Sequence, residues 1–75
     1  MQQPECFTCT NCHLVASVHE AALKQGYESD WFEVGESYSG AMLYCVEVYD
    51  ISQLGLVQMV SEVRSGGQQV LQLAA

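Results

Sequence analysis

With 75 residues and a formal net charge of −7, the chain has room for one small domain with a modest core. Nine acidic side chains stand against two basic ones, which argues against direct binding to DNA or RNA because such binding needs a Lys/Arg surface. Hydrophobic residues make up 49% of the chain, so we expect residues 1–75 to fold as a single domain. The apolar stretches are much shorter than the roughly 18 residues of a membrane span, so we expect no membrane partner.

The predicted elements begin after a Cys-rich loop over residues 1–13. Apolar residues at helical spacing predict a first helix from Leu14 to Gln25, and Gly26 is suited to end it in a left-handed conformation. Aromatic and β-branched residues then predict a strand over Trp31–Val34. The glycine- and hydroxyl-rich segment 35–40 predicts the turn that follows.

The best strand candidate is Ala41–Tyr49, which is rich in Val and Tyr. Its alternation predicts a core face made of Met42, Tyr44, Val46 and Val48. A second helix is predicted next, with Asp50 as N-cap, Gln53 completing a capping box, and the Gly66-Gly67 pair as its end.

The tail over residues 68–74 alternates weakly, which predicts a final short strand beside the central one. Residues 14–74 are therefore expected to form an α+β core of order α-β-β-α-β. In this fold two helices pack on a small three-stranded mixed or antiparallel sheet.

Soft ligand atoms are concentrated near the start of the chain. The cluster consists of Cys6, Cys9, Cys12 and His13. Thiolates and imidazoles are the donors that tetrahedral zinc prefers, so the cluster predicts a structural zinc site that clamps a domain short of core. Cys45 and His13 are equal candidates for the fourth ligand, with His19 behind them. The alternative interpretation of Cys45 is a small buried apolar residue.

Other cysteine chemistries share the same residues. Cys9-Thr-Asn-Cys12-His13 matches the pattern that attaches c-type haem. A Cys-x-x-Cys at a helix N-terminus is also typical of thiol redox proteins, although no strand is predicted before Cys6. The start of the chain does not resemble a secretory signal, so we expect a cytoplasmic protein with reduced thiols over a disulfide scaffold.

Acidic and aromatic side chains alternate in one short segment. Its members are Glu28, Asp30, Trp31, Phe32, Glu33 and Glu36. One interpretation is a solvated surface that serves solubility. The other is a surface that docks on a basic protein partner, with the aromatic residues as anchors.

These patterns favour a non-catalytic protein, because so short a chain has little material for a substrate pocket. The first functional hypothesis is an acidic binding module that occupies a basic, nucleic-acid-binding surface of a protein partner, as small acidic inhibitors from phages and mobile elements do. The second is a zinc-stabilised structural adaptor or subunit of a larger assembly. A thiol redox protein is a remote third. We expect a monomer or a small homo-oligomer in each case.

Overall fold

The computed structural model describes residues 3–74, with burial and side-chain contacts described for residues 3–65. The elements in chain order are β1 (Glu5–Cys9), α1 (Cys12–Lys24), β2 (Ser29–Glu36), β3 (Met42–Val48) and α2 (Gln53–Ala74). The three strands form one antiparallel sheet in the order β1-β3-β2. The predicted α+β class with two helices on an antiparallel sheet is confirmed, whereas the predicted order α-β-β-α-β is wrong.

The third strand comes from the opposite end of the chain from the one predicted. β1 takes residues from the segment that was expected to be a loop, and it pairs with β3 along its whole length. The predicted strand over residues 68–74 lies in α2 instead, and α2 also continues through Gly66 and Gly67. Leu, Gln and Ala are strong helix formers, so local propensity in the tail agrees with the helix and outweighs a weak alternation.

Both helices pack on one face of the sheet, and the core lies between the two layers. The core consists of Val15, Val18 and Ala22 from α1, Val46 and Val48 from β3, and Leu56, Met59 and Val60 from α2. The alternation of β3 therefore predicted its core face correctly, with Val46 and Val48 fully buried. The molecule measures 17 Å in its thinnest direction, as expected for two layers.

The first helix has a side-chain cap at one end and a glycine at the other. The Asn11 side chain accepts hydrogen bonds from the backbone N–H groups of His13 and Leu14, at 3.0 and 3.2 Å. At the other end Gly26 has φ +91°, and the N–H of Tyr27 donates to the carbonyl of Ala22 at 2.9 Å. This geometry is a Schellman motif, which confirms the predicted role of Gly26.

The start of α2 differs from the prediction by two residues. The Ser52 hydroxyl accepts a hydrogen bond from the N–H of Gly55 at 3.0 Å, so Ser52 is the N-cap. Asp50 adopts φ 63° in the turn that leaves β3. Aspartate tolerates this left-handed conformation better than most residues, so the turn and not a capping box explains its position.

Candidate binding face

The sheet has a second face, opposite the core, which we call the open face. It is formed by the strand residues that alternate with the core residues: Cys6 and Thr8 of β1, Leu43, Cys45 and Glu47 of β3, and Asp30 and Phe32 of β2. All helix residues in the core pack against the other side of the sheet. The open face therefore consists of side chains from all three strands that do not pack against the helices.

The predicted metal ligands are distributed over both faces. Cys6 and Cys9 are three residues apart in β1, so their side chains point to opposite sides of the sheet. Cys12 is the first residue of α1, and the adjacent His13 is exposed. Among the described residues no three Cys, His, Asp or Glu side chains gather in a way that could hold a metal ion. The zinc site stays a prediction.

The sequence did not predict the strand that precedes the Cys-x-x-Cys motif formed by Cys9 and Cys12. Cys9 is the last residue of β1 and Cys12 the first of α1, so the pair joins a strand to a helix N-terminus. The Cys9 thiol lies 3.5 Å from the carbonyl of Asn11 and donates to it. This strand-to-helix setting is the one that the thiol redox hypothesis requires.

Cys6 and Cys45 face each other diagonally on the open face. Cys6 pairs with Glu47 and Cys45 pairs with Thr8, which places the two cysteines on neighbouring strands one diagonal step apart. Cys45 is only 6% exposed, which confirms the interpretation of this cysteine as a buried residue. The Cys6 thiol donates to the Glu47 carboxylate at 3.7 Å.

Carboxylates gather at one end of the open face. Glu47 of β3 pairs with Asp30 of β2, and the Tyr49 N–H donates to the Glu28 carbonyl at 2.9 Å, which continues the same ladder. Burial, reinforced by the nearby charges of Glu47, Asp30, Cys6 and Glu28, raises the pKa of Tyr49 above its ordinary value of 10.0. The register places Tyr49 and the three carboxylates of Glu28, Asp30 and Glu47 on the same face, at the end of the sheet where β2 begins and β3 ends.

Apolar side chains of β2 lie next to these carboxylates, further along the open face. Phe32 pairs with Cys45, and its ring is 43% exposed. Val34 is the extra residue of a bulge between Glu33 and Gly35, and it is 55% exposed. Aromatic side chains are enriched in protein interfaces, whose rims are polar, so the exposed side chain of Phe32 marks this part of the open face as a candidate binding surface.

The predicted acidic segment is therefore divided between the two sides of the sheet. Glu28 and Asp30 belong to the open face, with Phe32. Register places the others, Trp31, Glu33 and Glu36, on the side of the helices, where the Trp31 and Tyr44 rings lie 6.3 Å apart. Glu47 and Tyr49 were missed, although the alternation of β3 had already placed both on the face opposite the core.

Both basic side chains of the chain lie in the helical layer. Lys24 is in the last turn of α1, and the Arg64 guanidinium of α2 lies 5.8 Å from the centre of the Phe7 ring. Arg64 also borders a groove of about 500 Å³ between β1 and α2, whose floor includes Leu56 and Val60. Both cations therefore lie on the helix side, together with the carboxylates of Glu5, Glu20, Glu33, Glu36 and Glu62. The open face carries the carboxylates of Glu28, Asp30 and Glu47 and neither of the two cations.

The Cys6 thiol is expected to react slowly for an exposed thiol. Burial, then the neighbouring Cys45 and the Glu47 carboxylate, raise its pKa from 9.0 to about 11. At pH 8 this lowers the thiolate fraction about a hundredfold, and the higher nucleophilicity of a weaker acid recovers about tenfold of the rate. We expect Cys6 to react with dithiodipyridine about tenfold more slowly in the folded protein than in urea, measured by peptide mass spectrometry.

The Glu47→Gln variant provides the control, because it removes one cause of the pKa shift and should accelerate the reaction of folded Cys6. Equal rates in folded and unfolded protein would contradict the shift. The raised pKa of Cys6 also predicts that the free energy of unfolding falls as pH rises from about 9 to about 11. In that range the unfolded chain ionises this thiol and the folded protein does not.

The chain matches no protein-family model, no curated protein and no solved structure. Within the described part of the chain, no helix combines the length and the apolar character needed to cross a membrane.

Proposed function

We propose that this protein is a non-catalytic binding module whose open face docks on a basic surface of a protein partner. The observation that carries the proposal is the group of carboxylates of Glu28, Asp30 and Glu47, which share one face of the sheet with Tyr49 and with the exposed side chain of Phe32. Carboxylates attract Lys and Arg and accelerate encounter, while aromatic side chains make good anchors at the centre of an interface.

The pairing of Asp30 with Glu47 supports the proposal energetically. Two carboxylates directly opposite each other on neighbouring strands repel, and this destabilises the sheet by a few tenths of a kcal/mol or more. A Lys or Arg side chain from a partner, placed between the two carboxylates, would attract both of them and offset their repulsion. The arrangement therefore costs stability in the free protein and favours a complex with a cationic surface.

The partner in this proposal is a protein that itself binds nucleic acid. Such proteins carry Lys/Arg surfaces that bind phosphates, and carboxylates grouped on one face of a sheet offer the same negative charge and hydrogen-bond acceptors. The protein would then act as an inhibitor by occupying that surface, in the manner of small acidic inhibitors from phages and mobile elements.

Competition with a polyanion tests this proposal. The immobilised protein should capture its partner from its native cells at about 50 mM salt, and short duplex DNA or RNA should displace the captured protein. Capture should also weaken steeply near 500 mM salt, where screening shortens the reach of exposed charges to a few ångströms. Capture that is indifferent to salt and to nucleic acid would overturn the proposal.

A pair of matched variants controls for nonspecific charge effects. The open-face variant carries Glu28→Gln, Asp30→Asn and Glu47→Gln. The helix-side variant carries Glu5→Gln, Glu20→Gln and Glu62→Gln. Each raises the formal net charge by three, from −7 to −4, so only the position of the lost charge differs. Capture should fail for the open-face variant alone.

A further inference from the structure

We propose that the partner docks by strand addition: an extended basic segment pairs with the outer edge of β2, with which no other strand of residues 3–74 is paired. This inference rests on the proposed function and names the form in which the basic surface is presented. Three observations carry it: β2 lies at the edge of the sheet, alternate residues of β2 direct their backbone N–H and C=O groups away from β3, and the strand bears negative charges.

The outward-facing backbone groups of β2 follow from one hydrogen bond. The Tyr49 N–H donates to the Glu28 carbonyl, so residue 28 faces β3 with its backbone, and in an antiparallel ladder every second residue does the same. The residues between them, Ser29, Trp31 and Glu33, therefore direct their N–H and C=O groups away from β3. These groups form a ready template for one more antiparallel or parallel strand.

The side chains of β2 also fit an added strand. Trp31 is 40% exposed and Phe32 is 43% exposed, and they lie on opposite sides of the sheet. An added strand would place one neighbour beside each ring, so both faces of the edge would gain buried apolar area. A partner that covered only one face would leave one of the two rings exposed.

Charge selects the occupant of the edge. Asp30 projects to the open face and Glu33 to the helix side, so an added strand meets a carboxylate on each side of the sheet. A second copy of β2 would bring acidic residues opposite acidic residues and would be repelled. An extended segment with Lys or Arg on both of its faces is matched to this edge.

The bulge sets the length of the pairing. The regular register runs from Ser29 to Glu33 and is interrupted before Gly35, where φ is +147°. Bulges twist an edge strand away from a straight partner. The added segment should therefore be about five residues long and should end opposite Glu33.

A synthetic peptide of eight residues, in which two lysines alternate with two valines, tests this inference on the full chain, because this pattern puts lysine and valine on both faces of an extended strand. At saturating peptide, the amide protons of Ser29, Trp31 and Glu33 should gain at least tenfold protection from hydrogen exchange, measured by NMR. A peptide of the same sequence, N-methylated at two adjacent central residues, keeps the charge and loses donors on both of its edges. It should bind about fivefold more weakly.

A proline variant of the protein provides the reciprocal test. Glu33→Pro removes one outward-facing N–H at an edge position where proline is tolerated, while Glu33→Ala removes the same charge and keeps that N–H. The proline variant should bind the peptide about fivefold more weakly than the alanine variant. Circular dichroism of both variants verifies that the fold is kept.

Three outcomes would overturn strand addition. The two peptides could bind equally well, with perturbations confined to Glu28, Asp30 and Glu47, which would leave charge-driven docking on the open face intact. The second outcome is that neither of the two peptides binds. The protein could form a dimer that protects the amides of β2 without any peptide, which would assign the edge to a second copy of the chain. Failure of the proposed function appears separately, as capture that resists salt and nucleic acid.

Discussion

Replacing Val46 with aspartate is expected to leave the chain unfolded at 25 °C. Val46 is fully buried at the centre of the middle strand, where it pairs with Phe7 on one side and Trp31 on the other. An unpaired carboxyl group there loses its hydration without gaining a partner, and the packing of the valine is lost as well. Together these effects cost on the order of 4–5 kcal/mol or more.

A domain of this size has little stability to lose. At about 0.05–0.15 kcal/mol per residue, the free energy of unfolding is about 4–11 kcal/mol. We expect the lower end of this range, because a single core in a chain of this size rarely supplies more than about 3–5 kcal/mol. Circular dichroism should show a loss of the folded signal for Val46→Asp. Val34→Asp introduces the same side chain in the same sheet at a position that is 55% exposed, and it should melt within a few degrees of the unmodified protein. A cooperative transition of Val46→Asp near that temperature would contradict the described core.

Neutralising the open face is expected to slow association with the basic partner by about ten- to a hundredfold at low salt. Electrostatic steering accelerates protein association by factors of this size, and it acts through the charges nearest the docking surface. Stopped-flow measurements of the open-face variant with the captured partner should show this loss. At 500 mM salt the variant and the unmodified protein should associate at nearly equal rates, because screening removes the steering.

The helix-side variant should associate nearly as fast as the unmodified protein, because its lost charges lie on other elements. The stability of the open-face variant gives a second readout. Relief of the repulsion between Asp30 and Glu47 should raise its free energy of unfolding by a few tenths of a kcal/mol. If both variants slow association equally, net charge alone would explain the effect and the open face would have no special role.

Local patterns predicted the parts of the fold whose signals lie within one element. The apolar spacing of α1 and the glycine that ends it lie close together in sequence, and alternation alone determined the core face of β3. β1 has only five residues, and a strand of that length is stable only when it is paired. Its pairing with β3 joins residues about forty positions apart, which no local pattern reports.

The candidate site divides in the same way. The acidic and aromatic composition of β2 indicated a binding surface, and register then separated its members between two faces. Glu47 joins this surface because β3 lies beside β2, so its role depends on pairing and not on composition. The cysteine cluster was misleading in the opposite way, because Cys6 and Cys9 are close in sequence and yet lie on opposite sides of β1.

The sequence by itself determined the class of the fold, the acidic charge and the alternation that separates a core face from an open face. These properties depend on side-chain type and on neighbours within a few residues, so they can be read locally. Only the tertiary structure decided which segment became the third strand, which carboxylates lie side by side and which strands lie at the edges of the sheet. Those features depend on the pairing of distant segments, which is set by the packing of the whole chain.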